Sequence, residues 1–428
     1  MKPFPPRSSP MIPLIFAAGC VSCARSAEPA RRPNILFMFS DDHAVQAISA
    51  YDTRLIETPN IDRIAREGVL FRGNYCANSI CSPSRASVLT GVHSHINGVT
   101  MWQRFDGSQP TFPRLLQSAG YVTGVFGKWH LGSDPTGFDE WMIFPGQGEY
   151  YNPDYITPKG TVRIEGYSER ISTDLVQKFI RDHKGDGKPF LAMLHFKAPH
   201  RNWMPGPDQL NLFRNHRFPE PPTLLDDYAG RAGPLARHRM GIGEHLRLVH
   251  DLKVPDRSGP VAGTARMTAA QRAAWDAAYR EENEAFRANP PVGGDRVRWN
   301  YQRYIADYLR CIAGVDEQVG RMLKFLEDEG LADNTIVIYS SDQGFYLGEH
   351  GWYDKRWMFE ESFRMPLMIR WPGRIGPGTE IRALTQNIDY APTLLDAAGV
   401  PIPAHIQGRS LLPLIAQPSM PWRDALYY

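Results

Sequence analysis

A short apolar run leads directly into two adjacent carboxylates in the segment Pro33-Asn34-Ile35-Leu36-Phe37-Met38-Phe39-Ser40-Asp41-Asp42. A continuous apolar run of this length is typical of a strand that is buried on both faces of a parallel sheet. In open α/β sheets, ligands bind at the carboxyl ends of the strands, where Asp41 and Asp42 fall. Two adjacent carboxylates repel each other unless a cation lies between them, so the pair indicates a cation site. An Asx-type turn would account for only one of the two.

The same alternation of helix and buried strand continues along the chain. Further strands are predicted at 69–71, 121–126, 190–196, 335–339 and 366–369, and helices at 58–68, 83–89, 112–119, 173–183, 268–284, 301–329 and 388–398. This order predicts an α/β fold with a doubly wound, mostly parallel sheet and helices on both faces. Residues from about 204 to 300 break the alternation and are rich in Pro, Arg and Gly. We expect them to form an insertion over the site.

A second acidic strand end, Ser340-Ser341-Asp342-Gln343-Gly344, follows the strand predicted at 335–339. The side chains of Asp41, Asp42, Asp342 and Gln343 offer oxygen atoms as ligands, which hard cations prefer. A shell of oxygen atoms suits Ca²⁺ better than zinc, and Mg²⁺ is the alternative. The sequence therefore predicts a calcium site where the two strands end.

Basic side chains follow other predicted strands. Lys128 and His130 are two residues apart at a strand end, so both side chains can face one way. His200 follows the strand at 190–196 and is a stronger candidate than His195, which falls inside the apolar run and is expected to be packed. Lys355 lies beyond the second acidic strand end. Each of these residues alone is typical of the surface or of the core edge, but as a set at strand ends they are candidate site residues.

The segment Cys81-Ser82-Pro83-Ser84-Arg85-Ala86-Ser87-Val88-Leu89-Thr90-Gly91 carries the most specific pattern in the chain. Pro83 suits the first turn of a helix and Gly91 can end it. Cys81 is therefore predicted to lie at a helix N-terminus, where an anion is favoured. A buried structural cysteine is the alternative interpretation, but so many residue types in a fixed order are far more specific than a lone thiol.

This segment resembles the signature of the type I sulfatases, which belong to the alkaline-phosphatase-like superfamily. The resemblance extends over essentially the whole chain after its first 30 or so residues. It implies that a formylglycine-generating enzyme oxidises Cys81 to Cα-formylglycine. The hydrated aldehyde has two hydroxyl groups, of which one attacks sulfur and the other later expels sulfate. It also implies that Asp41, Asp42, Asp342, Gln343 and an oxygen of the modified Cys81 bind calcium, although Asn or His is more usual at the position of Gln343.

The resemblance also implies roles for the basic residues. Arg85 would hold and stabilise the diol, and Lys128 and Lys355 would neutralise charge on the sulfate group in the transition state. His200, together with Lys355, resembles the acid that protonates the leaving alcohol, and His130 resembles the base that drives sulfate elimination. The reverse assignment of the two histidines stays open.

Three segments, 198–203, 226–231 and 341–356, resemble bacterial N-acetylglucosamine-6-O-sulfatases. This implies a sulfuric ester hydrolase that removes the 6-O-sulfate of N-acetylglucosamine in heparin or heparan sulfate-type glycans, or else a sulfatase of another sulfated glycan. Trp203 and Trp352 are candidates for stacking on a sugar face. Such sulfatases carry a small C-terminal antiparallel domain, which we expect to be missing here. Residues 33–415 would then be the catalytic domain and 416–428 the truncated start of the next one.

Two other functions are considered. A phosphatase or phosphodiesterase of the same superfamily usually has several histidines in its metal shell and a Ser or Thr nucleophile, and this pattern has neither. A non-catalytic glycan-binding surface protein would keep Cys81 as a thiol. The net charge of +2 argues against a nucleic-acid partner and still permits a local basic pocket for an anionic substrate.

The first 27 residues resemble a signal peptide with a short spacer. Basic residues precede an apolar run at 11–18, which is too short to span a bilayer. Cys20 lies in a weak lipoprotein cleavage motif, and cleavage after Ala24 is the secretory alternative. We expect an exported protein, either a periplasmic or outer-membrane lipoprotein anchored at Cys20 or a secreted one. The remaining cysteines, Cys76 and Cys311, do not make a disulfide framework.

Overall fold

The computed structural model describes residues 1–6, 32–256 and 259–428. Residues 1–6 contain no helix or strand. The apolar run predicted at 11–18 and Cys20 lie outside the described residues. Residues 32–428 form one unit, and the description below concerns that unit.

Twelve strands, numbered in chain order, are present in the described residues. They are β1 (Asn34–Ser40), β2 (Val69–Phe71), β3 (Asn74–Tyr75), β4 (Val122–Gly127), β5 (Glu140–Ile143), β6 (Asp154–Thr157), β7 (Gly160–Arg163), β8 (Phe190–His195), β9 (Thr335–Ser341), β10 (Leu367–Arg370), β11 (Thr379–Ile381) and β12 (Thr385–Gln386). Ten of them form one sheet in the order β11-β2-β10-β9-β1-β8-β4-β5-β6-β7, and β3 pairs with β12 separately. The five central strands from β9 to β5 are parallel, whereas β10, β6 and β7 run antiparallel to their neighbours.

The helices alternate with these strands. They are α1 (Pro59–Arg66), α2 (Cys81–Thr90), α3 (Ser94–Asn97), α4 (Phe112–Ser118), α5 (Ser168–His183), α6 (Ala269–Ala288), α7 (Gly293–Asp328), α8 (Glu360–Phe363), α9 (Tyr390–Ala397) and α10 (Leu412–Ala416). Side chains of α1, α5, α6 and α7 share one hydrophobic core, and those of α2, α4, α9 and α10 share a second.

Strand β1 explains why both cores exist. Leu36 and Met38 point into the core that contains α7, and Phe37 and Phe39 point into the core that contains α2. Because successive side chains of a strand face opposite sides, a strand with helices on both faces must be apolar throughout. The predicted doubly wound, mostly parallel sheet with helices on both faces is confirmed.

The parallel register brings the strand ends to one edge of the sheet. Ser40 at the end of β1 pairs with Ser341 at the end of β9, and His195 at the end of β8 pairs with Gly127 at the end of β4. Gly127 has a φ of +105°, and a Cβ there would lie 1.9 Å from the carbonyl oxygen of His195. A glycine is therefore required where β4 and β8 end side by side, directly before Lys128.

Several predicted boundaries were wrong. Helix α7 begins at Gly293, and not at 301, because the glycines and charged residues of its first two turns give no apolar periodicity, although Val297 and Trp299 pack against the core. Helix α5 begins at Ser168 rather than 173, and α9 at Tyr390, after a 3-10 turn. The edge hairpin of β6 and β7 was not predicted, since all four residues of β7 are exposed.

The insertion expected at about 204–300 consists of turns, helix α6 and the start of α7. It packs beside the loop that follows β9: Tyr353 N–H donates to Met240 O at 2.9 Å, and Ile242 N–H to Gly351 O at 2.9 Å.

Among the described residues, no helix is both long enough and apolar enough to cross a bilayer. Cys76, Cys81 and Cys311 are buried and have free thiols.

Candidate active site

The acidic end of β1 is fully buried. Asp41 and Asp42 are at most 1% exposed. Asp42 adopts a left-handed backbone conformation with a φ of +66°, and its N–H donates to Asp342 Oδ1 at 3.0 Å. The Asp41 N–H donates to the carbonyl oxygen of Ala198 at 3.2 Å. The turn after β1 thus directs two adjacent carboxylates into the space where β9 and β8 also end.

Four potential ligands converge at this point. One ligand atom each from Asp41, Asp42, Cys81 and Asp342 lies within 4.8 Å of all the others. The amide of Gln343 contacts Asp42 through Nε2, while its buried Oε1 has no hydrogen-bond partner in the described chain. Because the two ends of an amide look alike, a half-turn of this group would direct an oxygen into the cluster. Three carboxylates and one amide oxygen fit a hard divalent cation.

Each of the three carboxylates also has a basic partner. Lys128 Nζ contacts Asp41 Oδ2, and Lys355 Nζ contacts Asp42 Oδ1. Arg85 Nε donates to Asp342 Oδ2 at 3.1 Å. All of these groups are buried, and a buried charge without a partner is very costly. The cluster is therefore an arrangement of paired charges.

The carboxylates do not ionise equally. Burial and the repulsion from Asp41 and Asp342 together raise the pKa of Asp42 to about 7. The attraction of Lys355 opposes this rise only in part. Burial also favours the neutral form of Asp41, but Lys128 and other nearby cations outweigh it and hold the pKa of Asp41 well below its usual value. A bound cation would relieve the repulsion that Asp42 experiences.

Cys81 lies at the first position of α2, as predicted. Gly91 ends this helix with a φ of +69°. The Sγ atom of Cys81 is 3.3 Å from Asp41 Oδ1 and 3.3 Å from Lys355 Nζ. Burial and the neighbouring Asp41 raise the pKa of the thiol far above its usual value. Since the thiolate is the reactive form of cysteine, the unmodified thiol is a poor nucleophile here.

Arg85 is fixed on several sides. Its Nη1 donates to the carbonyl oxygen of Lys128 at 2.9 Å, and the guanidinium lies 5.1 Å from the centre of the Phe39 ring. His195 Nδ1 also approaches that carbonyl, at 2.9 Å, and His195 is 3% exposed. His195 is therefore packed behind Arg85, as its place in an apolar run predicted.

His130 is held by two neighbours. The hydroxyl of Ser82 donates to His130 O at 2.7 Å and can accept from His130 Nδ1 at 3.3 Å. Gln147 accepts from Lys128 through Oε1 and donates to His130 Nε2 at 3.0 Å through Nε2. This arrangement requires a neutral imidazole with its proton on Nδ1. Burial, together with Lys128, lowers the pKa of His130 to about 3, which is consistent with that neutral form.

His200 lies on the other side of the cluster. Its Nδ1 is 2.6 Å from the carbonyl oxygen of Arg201 and must donate to it, and its Nε2 faces Asp42 Oδ2 at 3.9 Å. Burial and the nearby Lys128 lower the pKa of His200 well below its usual value. The imidazole is therefore neutral when no anion is bound.

The structure brings all the predicted site residues together. These are Asp41, Asp42, Cys81, Arg85, Lys128, His130, His200, Asp342, Gln343 and Lys355. Their chemical roles stay predictions. Sequence reasoning missed Gln147, whose only signal is its place between two glycines. It also missed Lys197, a buried lysine just after β8 that donates to Gln147 O at 3.2 Å.

The prediction for two tryptophans was wrong. Trp203 and Trp352 are both fully buried, and Trp203 packs against Tyr304 while Trp352 packs against His238. A ring with no exposed face cannot stack on a sugar. Both residues are core residues of the layers around the insertion.

Comparisons with known proteins identify related chains. Residues 33–400 match the family model described as Sulfatase. The chain is 46% identical over 437 residues to an N-acetylglucosamine-6-O-sulfatase of Bacteroides thetaiotaomicron, covering 98% of this chain and 78% of that protein. It is 28% identical to the human N-acetylglucosamine-6-sulfatase, covering 98% of this chain and 71% of the relative.

A solved structure of a protein in complex with its substrate D-glucosamine-2-N,6-O-disulfate is also similar. It superposes with a TM-score of 0.88 at 46% sequence identity and covers 90% of this chain and 81% of that one. A phosphonate monoester hydrolase from Silicibacter pomeroyi superposes with a TM-score of 0.67 at 22% identity. At that identity the likeness concerns the fold alone.

Proposed function

The chain belongs to the sulfatase family, and from this we propose that it hydrolyses the 6-O-sulfate ester of a glucosamine-type sugar. One observation carries the proposal: Cys81, the first residue of α2, lies among three buried carboxylates, with Lys355 Nζ 3.3 Å from its sulfur. The names of the similar N-acetylglucosamine-6-O-sulfatase and of the disulfated ligand of the similar structure support the 6-O position.

The same residues support two groups that the reaction needs. Asp41, Asp42, Asp342, Gln343 and the modified Cys81 would hold Ca²⁺, which would supply positive charge toward the sulfate ester oxygens. Cys81 would be converted to Cα-formylglycine, which supplies a pair of hydroxyl groups on one carbon. The raised pKa of the unmodified thiol supports this conversion, because a cysteine that stays protonated contributes little as a nucleophile.

The basic residues would bind and orient the substrate. Lys355 lies beside the sulfur of Cys81, and Lys128 contacts Asp41, so both ammonium groups would lie near a sulfate ester bound at residue 81. Arg85 is held by Asp342 and by the carbonyl oxygen of Lys128, which fixes its guanidinium beside residue 81. Such preorganised charge is most effective in a buried site, where water does not screen it.

The two histidines differ in a way that supports the assigned roles. His130 is neutral, and its Nε2 lone pair, which accepts from Gln147 Nε2 in this structure, would take up the proton as the base for sulfate elimination. His200 presents an unprotonated Nε2 toward Asp42 in the absence of substrate. An anionic sulfate ester bound nearby would favour the protonated form of His200, so that it can donate to the leaving alcohol together with Lys355.

The test is sulfate release from 6-O-sulfated N-acetylglucosamine by the full chain, co-expressed with a formylglycine-generating enzyme. We expect release from the wild type and none from Cys81→Ala. Conversion is measured by mass on the tryptic peptide 73–85, where Cys76 is an internal control: after alkylation, Cys76 carries the label and residue 81 does not. A fully converted protein that releases no sulfate would contradict the proposed reaction.

We further propose that the chain is exported through the signal predicted in its first 27 residues. The support is the basic start followed by the apolar run at 11–18. Intact-mass measurement of the mature protein separates the two predicted routes. A lipid-modified Cys20 indicates an anchored lipoprotein, cleavage after Ala24 indicates secretion, and an uncleaved N-terminus would contradict export.

A further inference from the structure

His200, the proposed acid, is oriented by the backbone of its neighbour. Its Nδ1 donates to the carbonyl oxygen of Arg201 at 2.6 Å, and its Nε2 faces Asp42. A carbonyl oxygen can only accept a hydrogen bond, so this contact selects the form of the imidazole that has a proton on Nδ1. The direction of the Arg201 carbonyl therefore decides which ring nitrogen of His200 faces the buried carboxylates.

The side chain of Arg201 is fixed by a carboxylate of the insertion. Arg201 Nε donates to Asp251 Oδ1 at 2.7 Å, and Nη2 donates to Asp251 Oδ2 at 2.6 Å. The Asp251 side chain is fully buried, and that of Arg201 is 28% exposed. A planar, bidentate pair of this kind restricts geometry in addition to its energy. Arg201 is thus held at both ends, by Asp251 at its guanidinium and by His200 at its carbonyl oxygen.

Asp251 is itself held in place within the insertion. Oδ1 also accepts from His250 Nδ1 at 2.7 Å, and Oδ2 also accepts from the N–H of Arg247 at 2.8 Å. Burial favours the neutral form of this carboxyl, but Arg201 and His250 outweigh burial and lower the pKa of Asp251. The carboxylate is therefore charged, and its two oxygens together accept four hydrogen bonds. Since a carboxylate has about four acceptor positions, all of them serve to fix Arg201 and the turn around Asp251.

The carbonyl groups on either side of Arg201 are also anchored. Lys253 is fully buried, and its Nζ donates to the carbonyl oxygens of Asn202 at 2.5 Å and of Asp251 at 2.7 Å. The hydroxyl of Tyr150 donates to His200 O at 2.6 Å. Two residues of the insertion, Asp251 and Lys253, therefore hold the short segment 200–202 that carries the proposed acid.

We propose that Asp251 is a positioning residue for His200. Through Arg201 it holds the carbonyl oxygen that keeps a proton on His200 Nδ1 and directs Nε2 into the site. The inference rests on the proposed function, because only in that reaction does His200 protonate the leaving alcohol. The insertion thus contributes to the reaction through a residue that lies outside the cluster of carboxylates around Cys81.

The first measurement is ¹⁵N NMR of the full chain with ¹⁵N-labelled histidine, at pH 8 and fixed calcium. It reports which ring nitrogen carries the proton, and the His200 signals are those absent from His200→Ala. In the wild type we expect the proton on Nδ1 alone. In Asp251→Asn, which keeps the shape of the side chain and removes its charge, the two ring signals should move toward each other, as expected of a mixture of tautomers. The spectra need no turnover, so the unconverted protein serves.

The second measurement is sulfate release by the converted protein. Asp251→Asn should lower kcat by about tenfold, a part of the roughly 10²–10⁴-fold that a general acid contributes, and KM should stay within about twofold. In a His200→Ala background the same substitution should have no further effect, since a residue that acts only through His200 then has nothing to position. Arg201→Lys, which keeps the charge without the bidentate contact, should lose less than Asp251→Asn.

Asp154→Asn is the matched control. Asp154 lies in β6 and also pairs with an arginine of the insertion, Arg266, at 2.8 Å, so its replacement should change neither the His200 signals nor kcat. Arg201→Lys carries both measurements if Asp251→Asn does not fold.

Three results would overturn the proposal. They are unchanged His200 signals in folded Asp251→Asn, an equal loss of kcat in the His200→Ala background, and a raised KM at unchanged kcat, which would assign Arg201 to substrate binding. Failure of the proposed function is separate. It would appear as no sulfate release by the wild type, and the NMR comparison would still decide whether Asp251 positions His200.

Discussion

Replacing Lys197 by Met should stabilise the protein at neutral pH and impair its activity. Lys197 is 3% exposed, its ammonium lies 4.7 Å from the centre of the Tyr150 ring, and Nζ donates to Gln147 O at 3.2 Å. Burial, helped by Lys128, lowers the pKa of Lys197 from 10.5 to about 8. A lysine with a depressed pKa destabilises the folded state wherever it is protonated, so the cost is fully present below pH 8.

The magnitude follows from that shift. A difference of about 2.5 between the two pKa values corresponds to about 3.4 kcal/mol, at about 1.4 kcal/mol per unit. The Met side chain has a similar length and no charge, but it leaves Gln147 O without its donor, which costs about 1 kcal/mol. We therefore expect the free energy of unfolding at pH 7 to rise by about 2 kcal/mol. The gain in stability should shrink between pH 8 and 10.5. Over that range the wild-type lysine loses its proton in the folded state but still holds it in the unfolded state.

The activity should change in the opposite direction. Lys197 anchors the backbone of Gln147, whose side chain contacts both Lys128 and His130. Loss of this anchor should lower kcat by about tenfold, a cost of about 1.4 kcal/mol in transition-state stabilisation. The assays are reversible denaturant unfolding at pH 7 and pH 10, at fixed calcium, and sulfate release by the converted protein.

Lys178→Met is the matched control. The Lys178 side chain is 70% exposed and pairs with Asp182, so its replacement should change stability by less than about 0.5 kcal/mol at either pH. A drop in stability for Lys197→Met at pH 7 would refute the reasoning, since it would mean that the buried ammonium is favourable where it lies. Unchanged kcat would show that Lys197 does not act through Gln147.

Three further predictions concern the candidate site. Gln343→Ala should weaken calcium binding in calorimetry by at least about tenfold, whereas Gln343→Asn, which keeps an amide oxygen, should lose less; equal affinity of all three proteins would remove Gln343 from the ligand set. Because the pKa of His130 is about 3, His130 stays neutral as the pH falls from 8 to 5. Lowering the pH from 8 to 5 should therefore cause no loss of kcat/KM that comes from protonation of His130. A loss over this range in the wild type that is absent from His130→Gln would contradict the neutral assignment. Calcium should tighten the binding of inorganic sulfate, and sulfate should tighten calcium binding by the same factor. If the affinity for sulfate did not depend on calcium, the charge pairing described for Lys128 and Lys355 would be contradicted.

Local patterns predicted much of the fold and most of the candidate site. A strand between two helical layers has to be apolar on both faces, so β1, β8 and β9 are visible as apolar runs, and the residues after each run are placed at one edge by parallel pairing. The helix that begins at Cys81 is equally local, because Pro83 and Gly91 mark its two ends. These features depend on neighbours in sequence and on one rule of sheet geometry.

The features that were missed depend on contacts far apart in the chain. Gln147 lies in a loop after β5, and only the tertiary structure brings it between Lys128 and His130. Trp352 has the sequence context of a substrate loop, yet the insertion covers it through His238 and Tyr228. Exposed elements such as β7 carry no hydrophobic pattern at all. Burial by a distant segment and positioning by a loop leave no local signal.

The paired charges also explain how a chain with a net charge of only +2 can bind a sulfate ester. Without calcium, the ammonium groups of Lys128 and Lys355 are occupied by Asp41 and Asp42. Calcium bound by the same carboxylates would take over their negative charge, so both ammonium groups would become available to an anion in a buried site. The local positive field would then depend on the metal and not on an excess of basic residues, which is why composition carries no trace of it.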